Sequence, residues 1–305
     1  MQEPRILKLL RKHKLEQHSD LVRDAVVPGV RMQTPNPPHK PCQVGASKLG
    51  GEPDLHWSEP WPSRGDYPLA FLGQLRLSEV AKHAPKGILP GAGWIRFWYD
   101  ELGEAKRMAA SVIRSDKFEP SLVYLTLDPD ESRTLDRRPW PSFSKDFPRD
   151  GEDMWAPYRE SPIQFMLFET LRADALRQLI TAEEAVDPDG GWDRCMALLA
   201  SVQKQPYFRD DHQLLGDVYE LQSDSRFSAA CLAAGESEFA KRSSQKEAAF
   251  KREAARYCLL ARLASDDKGP GFQWGDCGSL QWWIRDDHLA AGDLERAVGL
   301  YEQGA

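Results

Sequence analysis

No run of about 18 apolar residues occurs anywhere in the 305-residue chain, and the opening MQEPRILKLLRKHKLEQHSD lacks the apolar core of a signal peptide. Neither a membrane span nor secretion is expected, which places the chain in the cytoplasm. Cysteine is sparse. Cys42, Cys195, Cys231, Cys258 and Cys277 are odd in number, widely separated and form no CxxC pair, which argues against a disulfide scaffold or a zinc knuckle. Cations are in deficit, 40 Lys and Arg against 47 Asp and Glu. The net charge of -7 opposes a broad nucleic-acid footprint, because phosphate binding needs clustered positive charge. The GxxxxGK[ST] spacing of a phosphate loop is absent, and no nucleophile–base motif stands out, so no cofactor and no metal are expected.

What is present is core-forming material: 41% apolar and 29% charged residues describe a globular chain large enough for one big domain or two small ones. Charge is uneven. Residues 1–50 hold nine Lys or Arg against four acids. The first segment reads as a basic amphipathic helix with Ile6, Leu9, Leu10 and Leu15 on one side, packed on its own domain with its cations solvated. Pro28, Pro35, Pro37, Pro38 and Pro41 then impose an extended, partly exposed stretch. Residues 46–68 are turn-rich, with Trp57 and Trp61 expected to pin an ordered loop.

Strand signals follow at Leu69–Leu77, Gly93–Asp100, Ser121–Leu127 and Ile163–Phe168. Pro139–Tyr158 reads as a long irregular connection carrying its own aromatic cluster. Helices are expected over Ala173–Ala185 and Trp192–Gln203, split by Asp187-Pro188-Asp189-Gly190-Gly191, and over the Glu-, Lys- and Ala-rich Glu236–Arg256.

The chain also matches itself. FLGQL (Phe71–Leu75) lies over LLARL (Leu259–Leu263) at an offset of 188, and GWIRFWY (Gly93–Tyr99) over GSLQWWI (Gly278–Ile284) at 185. Two blocks in the same order predict a duplicated strand pair. Tyr257–Ala264 is therefore expected to be extended despite its helical neighbours. The fold class is α+β: two antiparallel-sheet halves with flanking helices, joined across a shared core as one pseudo-symmetric domain.

The blocks SKLGGEPDL (Ser47–Leu55), PLAFLGQLRLSE (Pro68–Glu79), GWIRFWYD, HQLLG (His212–Gly216) with LQSD (Leu221–Asp224), and LLARLASDD with FQWGDCGSLQWWI up to Ile284 resemble, in order, the YwqG-like family, a bacterial family of unknown function. The resemblance covers residues 45–305, with halves at about 45–160 and 161–305, and leaves residues 1–44 as an N-terminal helix and Pro-rich segment. Asp217-Val218 and Ala261-Arg262 depart from the family's pattern. The resemblance implies an internally duplicated α+β fold, and, through toxin–immunity neighbourhoods, a protein partner such as a toxin.

Several motifs invite chemistry. Ser47–Gly51 is a glycine-rich turn with one cation, where free amides would hold an anion and where a positive-φ turn is the simpler reading. RDDHxxxGD occurs twice, from Arg209 and from Arg285. Carboxylates beside an imidazole suit a metal or an acid–base pair. Consecutive Asp residues point in different directions, however, so the second copy reads as acids at the start of a helix over Leu289–Tyr301. Cys277 sits in a polar turn with no His positioned to activate it. If the halves face each other, Gln74 and Arg262 line a central cleft with Lys48, His212 and Asp276 at its rim, which is the expected ligand or partner site. Two functions follow: a non-catalytic protein-binding, immunity or regulatory factor, which the lack of catalytic motifs favours, and a hydrolase using His212 and nearby carboxylates in that cleft.

Overall fold

The computed structural model describes residues 4–35, 41–65, 67–101, 121, 123–141, 158–204, 212–219 and 224–302. In chain order its sheet strands are β1 (Val26–Gln33), β2 (Lys48–Leu49), β3 (Ala70–Arg76), β4 (Trp94–Tyr99), β5 (Val123–Asp128) and β6 (Ser161–Pro162). They continue with β7 (Gln164–Leu171), β8 (His212–Leu215), β9 (Tyr257–Ala264), β10 (Ser279–Arg285) and β11 (Val298–Glu302). One antiparallel sheet has the order β7-β1-β8-β9-β10-β11 and a second the order β6-β2-β3-β4-β5. Short two-residue ladders also join Asp54–Leu55 to Asp136–Arg137 and Ser63–Arg64 to Tyr67–Pro68. With the helices below, this is an α+β fold.

Alternation along the strands creates the core between the sheets. Leu49, Leu75, Ile95 and Phe97 from the five-stranded sheet join Leu214, Leu263, Leu280 and Trp282 from the six-stranded sheet in one buried cluster. The Phe97 and Trp282 ring centroids lie 4.6 Å apart. Sandwiching these faces removes most of their apolar area from water, worth about 25 cal/mol per Å².

The β3–β4 and β9–β10 pairs share one register. Phe71 faces Trp98, the ladder skips a residue, and Gly73 faces Phe97; Leu259 faces Trp283, the ladder skips a residue, and Ala261 faces Trp282. The preceding strands match too, Lys48 opposite Gln74 and Gln213 opposite Arg262. Each leaves through two consecutive left-handed residues, Gly50-Gly51 and Leu215-Gly216. Tyr257–Ala264 is a strand because β8 and β10 pair with it on both sides, outweighing its helix-forming composition.

The helices are α1 (Arg5–Lys12), α2 (Ser19–Arg23), α3 (Leu77–Val80), α4 (Ala173–Val186), α5 (Gly191–Gln203), α6 (Ser225–Ala233), α7 (Ser244–Ala254) and α8 (Asp286–Ala291). Leu10 and Leu15 are buried against Leu176, Leu179 and Leu199 of α4 and α5, so the apolar side of α1 packs inward. The α6–α7 pair covers the outer face of the six-stranded sheet through Tyr257, Leu259 and Trp283. No helix among the described residues is long and apolar enough to cross a membrane.

Four sequence expectations change. Residues 26–33 are extended but form an inner strand: Val30, Arg31 and Met32 are buried, and Pro28 is tolerated because pairing to β8 covers only Gly29–Met32. The helix read from Glu236 begins only at Ser244, where the Ser243 side chain accepts the Lys246 N–H. No helix spans Leu289–Tyr301; α8 stops at a left-handed Gly292, and Val298–Glu302 is an edge strand. Trp61 packs on Trp98 at 5.6 Å as a pin should, whereas Trp57 is 76% exposed. Most of the expected connection at 139–158 lies outside the described residues, as do Arg209–Asp211 of the first RDDH copy and Leu221–Ser223 of the LQSD block.

Candidate functional site

Lys48 and Gln74 are cross-strand neighbours on β2 and β3, one residue out of step with the inward-facing Leu49 and Leu75. They therefore point to the outer face of their sheet. There Lys48 Nζ lies 3.3 Å from Asp54 Oδ1 and 3.1 Å from Glu160 Oε2. Arg137 closes the group, 3.1 Å from Asp54 and 3.2 Å from Glu160. Gln74 Nε2 donates to Asp54 Oδ2 at 2.8 Å and its Oε1 accepts the Asp54 N–H at 2.9 Å. Arg96, next along the row, is fully buried; it donates to the Asp54 carbonyl and pairs with Glu59 at 3.0 Å. Burial pulls the Arg96 guanidinium below its ordinary value despite Glu59 and Asp128. Burial acts the same way on Arg137, but its bond to Asp54 and the charge of Glu160 outweigh it and raise that group.

The six-stranded sheet carries the matching row Gln213, Arg262 and Gln281. Gln213 Nε2 donates to the Leu215 carbonyl, and Gln281 accepts the Trp283 indole N–H at 2.7 Å. His212 is one residue earlier and faces the core, 3% exposed. Its Nδ1 accepts the Ala264 N–H at 3.1 Å, which leaves the proton on Nε2, 3.3 Å from Asp266 Oδ2. Burial works against the Asp266 charge, but His212, Thr34 and the Gly269 N–H hold its carboxyl well below the usual carboxylate range.

The five predicted site residues therefore do not line one cleft. Lys48 and Gln74 share a buried network on one outer face. Arg262 occupies the corresponding position on the other sheet, pointing away from Gln74 because the leucines between them fill the space. His212 is a core residue and Asp276 an exposed turn residue. The glycine-rich turn holds no free anion cradle: the Gly50 and Gly51 amides donate to the Leu72 and Tyr158 carbonyls. A side chain at Gly50 would collide with the Arg159 carbonyl, so its positive φ and glycine identity go together. In the second RDDH copy Asp287 binds Arg285 and Arg256 at 3.0 Å, and Asp286 binds Arg256. Arginines neutralise those acids, and among the described residues no group of three or more His, Cys, Asp or Glu is arranged to hold a metal.

The open surface lies elsewhere. The chain leaves the five-stranded sheet at Pro162 and enters the six-stranded sheet at Gln164. A cavity of about 660 Å³ sits at this junction, lined by Cys42, Ser47, Glu79, His83, Gln164 and Phe165 among others. Glu79 accepts the Ser47 N–H at 3.2 Å, and the His83 ring lies 6.1 Å from Phe165. From Phe165 the edge strand β7 carries Met166 and Leu167, 40% and 59% exposed. Sequence reasoning missed this surface because its residues come from three segments with no shared motif. The available signal was Ile163–Phe168, an apolar strand with no charge to shield it.

The family model described as a domain of unknown function, DUF1963, matches residues 47–302. No curated protein matches the chain.

Proposed function

The chain belongs to the DUF1963 family, and from that premise we propose that it is a cytosolic, non-catalytic protein-binding factor of the immunity or regulatory kind, YwqG-like in type. The exposed Met166 and Leu167 on an edge strand, continuous with the junction cavity, carry this reading. Adjacent large apolar side chains on an edge strand mark a surface suited to a partner. The shared register of β3–β4 and β9–β10 supports an origin by internal duplication, with the halves related by a pseudo-dyad near Phe97 and Trp282.

The rival hydrolase needs His212 as a base. Its Nδ1 accepts a backbone N–H, its Nε2 faces Asp266, and its ring is buried, an arrangement that favours a structural role for it over that of a base. A toxin is the kind of partner that the family resemblance supports. The full chain is co-expressed with a candidate toxin encoded beside its gene: a stoichiometric complex that neutralises the toxin supports the proposal. Turnover of ester, phosphate or peptide substrates that disappears in folded His212→Ala protein overturns it.

A further inference from the structure

We propose that the partner contributes an extended, acid-flanked segment that adds as a strand to the free edge of β7; this rests on the protein-binding reading above. β7 pairs with β1 through all eight residues without a bulge, and no strand among the described residues pairs with its other side. Protective features are missing from the edge: QFMLFETL has no Pro and no Lys, and its single charge is Glu169. An edge of this kind offers backbone donors and acceptors to an incoming strand, with alternate side chains setting specificity.

The two ends of the edge define the length. At the far end the Arg5 guanidinium binds Glu169 and donates to the Ser201 and Val202 carbonyls at 2.8 and 3.0 Å, closing the strand beyond Phe168. At the near end stands the junction cavity, with Phe165 and Gln164 in its wall. Among the described residues Gln164–Phe168 is left open, about 14 Å at the rise of an antiparallel strand. Along it Leu167 shares the face of core-packed Phe165, and Met166 the opposite face. A segment of about five β-branched or apolar residues covers both.

Charge chooses the flanks. On α1, Lys8 and Lys12 lie one and two turns from Arg5 on the same side, and the helix carries no acid. At the opposite end Lys82 lines the cavity and is exposed. The open edge of a chain with net charge -7 is thus bracketed by cations. An acidic partner is steered to it and a basic one repelled. Glu169 is already engaged by Arg5, and Glu79 by the Ser47 N–H.

The test uses the full chain and a fluorescein-labelled peptide of Val-Thr-Val-Thr-Val flanked by two glutamates at each end, with a lysine-flanked twin. Fluorescence anisotropy is expected to give saturable binding of the acidic peptide that weakens with salt, and at least tenfold weaker binding of the twin. Amide exchange is expected to slow at residues 164–168. Leu167→Glu, at a position already exposed, is expected to weaken binding at least tenfold with an unchanged unfolding midpoint. Lys8→Glu paired with Lys82→Glu is expected to do the same without touching the edge. Equal binding of both peptides, protection confined to another surface, or binding that survives Leu167→Glu overturns the proposal. Failure of both peptides also overturns strand addition, whereas a native partner that binds Leu167→Glu protein normally leaves the binding role standing on another surface.

Discussion

Replacing Lys48 by Met asks whether its charge serves the fold or a site. Lys48 and Arg137 face Asp54 and Glu160, two cations on two carboxylates, with Lys48 and Asp54 fully buried. Each Lys48 contact of 3.1 to 3.3 Å is worth a gross attraction of about 5 kcal/mol at an effective dielectric of about 20. Desolvation consumes most of that in the intact group. Removing one partner returns none of it and leaves two carboxylates on Arg137. The expected loss is about 3–5 kcal/mol, the range for breaking a buried pair. For a chain of this size that lowers the unfolding midpoint by about 5–8 °C. Adding Glu160→Gln restores one cation to one carboxylate, keeps an acceptor for the Cys42 N–H, and is expected to recover at least about 1.5 kcal/mol. Urea unfolding followed by circular dichroism reads both. A Lys48→Met loss below about 1 kcal/mol, or a double variant no more stable than the single, refutes the structural role. Lys48 would then be a polar residue retained for something other than folding.

Three further outcomes are expected. His212→Ala leaves the buried Ala264 N–H without its acceptor and opens space beside Phe272, so stability should fall by about 2–4 kcal/mol in urea unfolding; a neutral change would show that the ring does not hold β8 to β9. Burial disfavours the Glu183 charge, but bonds from Arg194, His18 and Gln17 outweigh it and hold its carboxyl below the ordinary value. Its stabilisation is therefore present above pH about 4.5 and lost as pH falls through the lower folded value, so the midpoint difference between wild type and Glu183→Gln should shrink below pH about 4.5 in thermal scans. Burial pushes the Cys42, Cys231 and Cys258 thiols up to about 11 and Cys195 up to about 12, while Cys277 is exposed. A thiol-disulfide colorimetric titration of native protein should show one fast thiol, absent in Cys277→Ser.

Strand content was legible where aromatic and branched residues concentrate: the signals at 69–77 and 93–100 fall within one residue of β3 and β4 at either end. Even Tyr257–Ala264 was legible, through its offset of 188 from β3 and against its own propensity. What failed was orientation. Period-two alternation puts Gln74 and Leu75 on opposite faces without saying which face meets the other sheet. The dry face has to be the leucine face, because Leu49, Leu75 and Ile95 lie side by side there, and that requirement turns Gln74 and Arg262 outward. β1 was hidden by Pro28 and the prolines that follow from Pro35, which read as an extended, partly exposed stretch although Pro28 sits just beyond the doubly paired residues of an inner strand. β11 is only five residues and contains Gly299, too short for its period to separate strand from helix.

The misplaced site has the same root. His212 attracted attention because imidazole is versatile, yet its counterpart in the other sheet is Ser47, whose Oγ accepts the Arg76 N–H at 2.9 Å just as His212 Nδ1 accepts that of Ala264. Two different side chains do one job, terminating a ladder where the next backbone N–H lacks a strand partner. The larger ring fits at 212 because Phe272 and Asp266 frame it. A residue type that sequence reading prices by its chemistry can thus be fixed by geometry alone. Among the described residues, exposed apolar side chains remain at the edge of β7, just after the five-stranded sheet hands the chain to the six-stranded one. Function in this chain is accordingly sought at the sheet edge and not among the buried polar side chains of the matched strands.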